Sequence, residues 1–74
     1  MRFITFVKRN YLRDNSFKGV FARFIKSEGR NFPVRSSYRT YWKYLHEQCQ
    51  APQEVLAAFD ECFCEWKEHE RTNH

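Results

Sequence analysis

Acidic residues are scarce where basic ones are plentiful. Only Asp14 and Glu28 precede residue 46, against eleven Lys and Arg. Cysteine is thin as well: Cys49, Cys62 and Cys64 form an odd set without a repeating frame, which argues against a secreted scaffold stapled by disulfides. No apolar run approaches the ~18 residues a membrane span needs. The apolar stretch at residues 3–7 is too short for a signal peptide, and Lys8 and Arg9 close it at once. Internal repeats, low-complexity tracts and linkers are lacking. So are a Gly-rich phosphate loop, a nucleophile elbow and an H-E-x-x-H pair. These absences lead to the expectation of a reduced, soluble, cytoplasmic protein that is not an enzyme. It is expected to have no cofactor, no membrane partner and no small-molecule substrate.

What the chain has instead is aromatic mass. Eight Phe, four Tyr and two Trp stand among 74 residues. A chain this short buries roughly 60% of the surface its unfolded form exposes, so each core residue must contribute a large area. The aromatics recur at helical spacing and predict four helices. The first covers about residues 2–12, with Phe3, Phe6, Val7 and Tyr11 on one stripe. The second covers about 17–28, with Ser16 as its cap, an inner face of Phe17, Phe21, Phe24 and Ile25, and Gly29 as its end. Gly19 in its first turn is expected to permit close backbone packing. The third covers about 37–48 after the extended Phe32 and Pro33, capped by Ser36 or Ser37 and lined by Tyr38, Tyr41, Trp42 and Leu45. The fourth covers about 52–70, with Pro52 in its first turn. The expectation is one all-α domain over residues 1–70 with a frayed tail at 71–74. Its predicted core is Phe6, Phe21, Phe24, Tyr41, Trp42, Leu45, Phe59, Phe63 and Trp66.

Charge divides the chain in two, +9 before residue 46 and −5 after it. Arg35, Arg39 and Lys43 fall every fourth residue beside the aromatic stripe of the third helix. Arg23, Lys26 and Arg30 repeat the arrangement on the second helix, and Arg9 and Arg13 extend it on the first. An array of this kind suits a polyanion, because each neutralised phosphate releases condensed counterions without requiring a particular base. These eight residues are the candidate nucleic-acid surface, for DNA or RNA with little sequence preference. The competing candidate is the acidic row Glu54, Glu61, Glu65 and Glu68 on the fourth helix. That row could dock a protein partner or the basic half of a second copy, head to tail.

Other constellations are weaker. Cys62 and Cys64 are two residues apart on a helix and point about 200° away from each other, so they cannot share a metal ion. Adjacent Asp60 and Glu61 likewise make no acid–base pair. A core this small leaves little room for a ligand pocket of ~300 Å3 or more. Tyr44 lies off the expected stripe and reads as an exposed tyrosine, with a stacking role as the alternative.

The order and spacing of several residues resemble the YozE family: Phe3, Phe6 and Tyr11, then Gly19 and Ala22, Phe32 followed by Pro33, Tyr44 followed by Leu45, then Phe59, Asp60, Glu61 and Trp66. The likeness runs over about residues 3–67. It implies a SAM-like open four-helix fold in a short protein of Gram-positive bacteria and their mobile elements. For that family nucleic-acid binding is suggested by fold similarity alone. Val20 and the run Gly29, Arg30, Asn31 stand where the family tends to carry acids, which makes this chain more basic around its second helix.

Overall fold

The recurrence of apolar residues every three or four positions is realised as four α-helices: α1 (Phe3–Tyr11), α2 (Phe17–Glu28), α3 (Tyr38–Lys43) and α4 (Gln53–Thr72). The computed structural model describes residues 1–33 and 37–72, and among these there is no strand. The chain is therefore an all-α bundle, with principal extents of 35 × 26 × 22 Å.

The helix ends follow local chemistry, with several departures from expectation. Ser16 occupies the N-cap of α2 but makes no side-chain cap bond. Instead its own N–H donates to Asp14 Oδ1 at 2.8 Å, so the aspartate shapes the turn. Gly29, at φ 56°, stops α2 and opens a short 3-10 turn, Gly29–Asn31. Ser37 caps α3, accepting from the N–H of Thr40 at 3.3 Å, while Ser36 lies outside the described residues. Past Lys43 the helix widens into a π turn, Tyr44–Gln48, in which the Cys49 N–H donates to the Tyr44 carbonyl. Pro52 precedes α4 rather than opening it, and its carbonyl accepts the N–H of Val55 and Leu56. The fourth helix runs two residues past its expected end, to Thr72.

Phe3 is the hub of the core. Its ring meets Phe21, Tyr41, Phe59, Phe63 and Trp66 at centroid distances of 5.1 to 6.2 Å. Phe6, Phe21, Tyr41, Leu45, Phe59 and Phe63 are buried as expected, and Phe24 and Trp66 pack partly buried against them. Trp42 is not a core residue: it is 38% exposed, as is Tyr38. Tyr44 goes the other way. It is half-buried, edge-on to Phe32 at 5.4 Å, with its hydroxyl donating to Glu28 at 2.7 Å.

These three corrections share one pattern: the segment from α3 into the π turn is set so that Tyr44 faces inward and Tyr38 and Trp42 face further outward than expected. Tyr41 sits at the centre of the buried side, with Tyr44 and Leu45 next to it and Trp42 outside. The residue that draws the helix round is Phe32, 1% exposed and stacked on Tyr41 at 5.6 Å. Phe17 is also corrected: at 55% exposed it lies at the very start of α2, beyond the reach of the core.

Candidate nucleic-acid interface

The first basic group is assembled by the packing of α1 on α2. Gly19 allows the close approach. A Cβ there would lie 1.9 Å from the Asp14 carbonyl oxygen, which no side chain could tolerate. The turn between the helices is then held by Arg23, whose Nη1 donates to the carbonyls of Leu12 at 3.1 Å and Asp14 at 2.9 Å. Arg23 thus has a structural task, although three of its five N–H groups remain available. Beside it, Leu12, Arg13, Arg23, Lys26 and Ser27 line a groove of about 620 Å3. A second groove of about 400 Å3 continues along Lys8, Arg9, Asn10, Leu12, Arg13 and Asp14. The surface therefore has more concavity than the length of the chain suggests, and each groove is lined by three cations, the second also by Asp14.

The second group lies on α3, where Arg39 and Lys43 are exposed. They line neither groove. Arg30, exposed in the 3-10 turn, follows the end of α2. Arg35 lies outside the described residues. The structure thus gathers Arg9, Arg13, Arg23 and Lys26, and leaves Arg39 and Lys43 as a separate set. Among the described residues Arg9, Arg13, Lys26, Arg30, Arg39 and Lys43 make no ion pair.

No family model, curated protein or solved structure matches the chain.

The acids behave in the opposite way. Glu65 accepts from the Tyr11 hydroxyl and from Lys18 Nζ, the latter at 2.6 Å, and Glu61 lies 3.6 Å from the same ammonium. Glu68 takes both bonds of Arg71, Asp60 accepts from Tyr38, and Glu70 pairs with the N-terminal amine. With Asp14 on Ser16 and Glu28 on Tyr44, only Glu47 and Glu54 of the nine acids lack such a contact among the described residues. Of the row on α4, then, Glu54 alone makes no such contact among the described residues. It borders an open groove of about 330 Å3 with Ser16, Phe17, Lys18, Ala57, Ala58 and Glu61.

Electrostatics agree with these contacts. Burial raises the Glu65 carboxyl, but hydrogen bonds from Lys18 and Tyr11 outweigh it and hold the group below its ordinary value. The bond to Glu65 raises Lys18. Burial, then the bond to Glu65, pushes Tyr11 up to about 12. Among the cysteines, Cys62 is buried in α4, Cys64 is exposed and Cys49 is half-buried. Burial pushes the Cys62 thiol up to about 12, far from a reactive thiolate at neutral pH. Among the described residues no three His, Cys, Asp or Glu side chains gather where they could hold an ion. No described helix is long and apolar enough to cross a membrane.

Sequence reasoning missed the pairing of the acids. Lys18 is 47 residues from Glu65, and no local spacing announces that contact.

Proposed function

We propose that this chain is a small, non-enzymatic, cytoplasmic module that binds nucleic acid through its basic surface, with little sequence preference. One observation carries the reading: among the described residues most of the acids are engaged inside the molecule, while most of the cations are not. Among the described residues Arg9, Arg13, Lys26, Arg30, Arg39 and Lys43 make no ion pair and stand open to a partner. Unpaired Arg and Lys beside open grooves suit phosphate oxygens. No set of side chains here reads base edges in an obvious way, so affinity should come from the backbone. The same observation weighs against docking through the acidic row of α4, since Glu61, Glu65 and Glu68 already have cationic partners. The SAM-like fold implied by the YozE resemblance belongs to this proposal.

The test is anisotropy of a labelled 20-nucleotide oligomer, single-stranded and duplex, titrated with the chain. Reversing Arg13, Lys26, Arg39 and Lys43 to Glu is expected to weaken binding by about 100-fold at low salt. The melting temperature should change little, because all four side chains are exposed. Reversing Lys67 and Arg71 is the control and should change affinity much less. Binding that survives the fourfold reversal would refute the proposal.

A further inference from the structure

Tyr38, Trp42 and His46 stand four residues apart and place their rings in one row along α3 and the π turn. Tyr38 and Trp42 are parallel within 11°, with centroids 6.5 Å apart, and Trp42 and His46 are parallel within 10° at 6.0 Å. Rings in full face-to-face contact would have centroids about 3.5–4 Å apart. Each ring therefore leaves much of its neighbour's face uncovered. Both Tyr38 and Trp42 are 38% exposed, in a chain that buries most of its other aromatics.

The row is anchored at one end. The Tyr38 ring rests on Phe59 at 5.0 Å and Phe63 at 5.4 Å, and its hydroxyl donates to Asp60 at 2.8 Å. An anchored ring loses little freedom when something stacks on its row. Arg39 and Lys43 each follow a ring of the row by one residue, about 100° round the helix, and neither has an ionic partner among the described residues. Glu47 is the one acid on this segment, and it lies at the His46 end.

We infer that this row is a stacking platform for unpaired bases, so that the chain prefers single-stranded nucleic acid to duplex. The inference rests on the nucleic-acid reading above and gives it a substrate class. Aromatic faces for bases, flanked by cations for phosphates, are the combination that single-strand binding uses. In a duplex the base faces are already covered by their neighbours and offer the rings nothing. A protein-binding hot spot would share the Trp and Tyr, but the unpaired Arg39 and Lys43 favour a polyanion over a neutral or basic partner.

The experiment compares oligo-dT, a hairpin duplex of similar charge and inorganic polyphosphate. Fluorescence is read from Trp42 in a Trp66→Phe background, and anisotropy of labelled DNA is read with the unaltered chain and with Trp42→Ala. Oligo-dT should quench Trp42, whereas polyphosphate should not. Trp42→Ala should weaken single-strand binding by about 5- to 100-fold and leave duplex binding within about twofold. Circular dichroism of Trp42→Ala checks that the fold persists, and the anisotropy arm does not depend on the Trp66 variant. Equal affinity of the unaltered chain for both forms, or an unchanged single-strand affinity in Trp42→Ala, would overturn the platform while leaving nucleic-acid binding in place. Binding to no nucleic acid would overturn both readings. A dimer formed without nucleic acid and lost in Trp42→Ala would make the row a protein interface and overturn the platform.

Discussion

Lys18 is the charged side chain on which three helices converge. From α2 it reaches Glu65 and Glu61 on α4, and it lies 5.1 Å above the ring of Tyr11 on α1. Its side chain is 23% exposed and that of Glu65 39%, so the pair is partly screened and is worth about 1 kcal/mol. Its pH dependence has a definite sign. Glu65 is depressed in the folded state, so its contribution is present above the unfolded carboxylate value, about 4.3, and disappears as pH falls through the lower folded value. Asp14, depressed mainly by the Ser16 N–H, follows the same course. Tyr11 is raised to about 12, so its contribution is intact below about 10 and is lost between there and 12. Glu65→Gln should therefore lower the melting temperature at pH 7, and the gap from the unaltered chain should close below about pH 4. A gap independent of pH would refute this role of the Lys18–Glu65 pair. A second contrast also belongs to single residues. Phe59→Ala removes a ring that is 0% exposed and touches five other rings, and should cost about 3–5 kcal/mol. Trp42→Ala should cost no more than about 1 kcal/mol, because its ring is not in that cluster. Urea denaturation of both variants gives the comparison.

Among the elements, α2 packs closely on the turn that follows α1, and that contact depends on one hydrogen atom in place of a methyl. Gly19→Ala puts Cβ against the backbone carbonyl of Asp14, which cannot rotate away, so a loss of about 3 kcal/mol is expected. Gly29→Ala meets nothing within 4 Å and carries only the strain of φ +56°, about 1–2 kcal/mol. If denaturation midpoints rank the two the other way, the helices do not meet as described. The number and order of helices were legible in the sequence because apolar spacing and glycine, proline and serine punctuation are local signals. The rotation of α3 was not legible. Trp42 and Tyr44 are both aromatic and flank Tyr41 and Leu45 on opposite sides, so periodicity alone fits either setting. What decides is Phe32, which lies in the connection before α3, outside any helical stripe, and stacks on Tyr41. The widened turn after Lys43 was equally hidden, since nothing in the residues 44–48 differs in composition from an ordinary helix end.

At the scale of the whole molecule the division of charge along the chain becomes a division of labour. Most acids of the second half fold back onto Lys18, Arg71, Tyr38 and the N-terminal amine, while among the described residues Arg9, Arg13, Lys26, Arg30, Arg39 and Lys43 of the first half make no ion pair. Half of the candidate site was visible beforehand: the cations could be counted and placed on helices by spacing. The grooves around Arg13 and Lys26 and the backbone bonds of Arg23 depend on how α1 meets α2, which no local pattern encodes. Nor could spacing show that Glu65 is engaged by a lysine on another helix. The central claim is that this unpaired basic surface engages phosphates, and its most direct measurement is affinity for an oligonucleotide across a salt series. With four to six phosphate contacts, the logarithm of the association constant should fall against log salt with a slope of about −4 to −5 on duplex DNA, and the fourfold reversal of Arg13, Lys26, Arg39 and Lys43 should flatten it. A slope near zero, or no binding even at about 50 mM salt, would contradict the account.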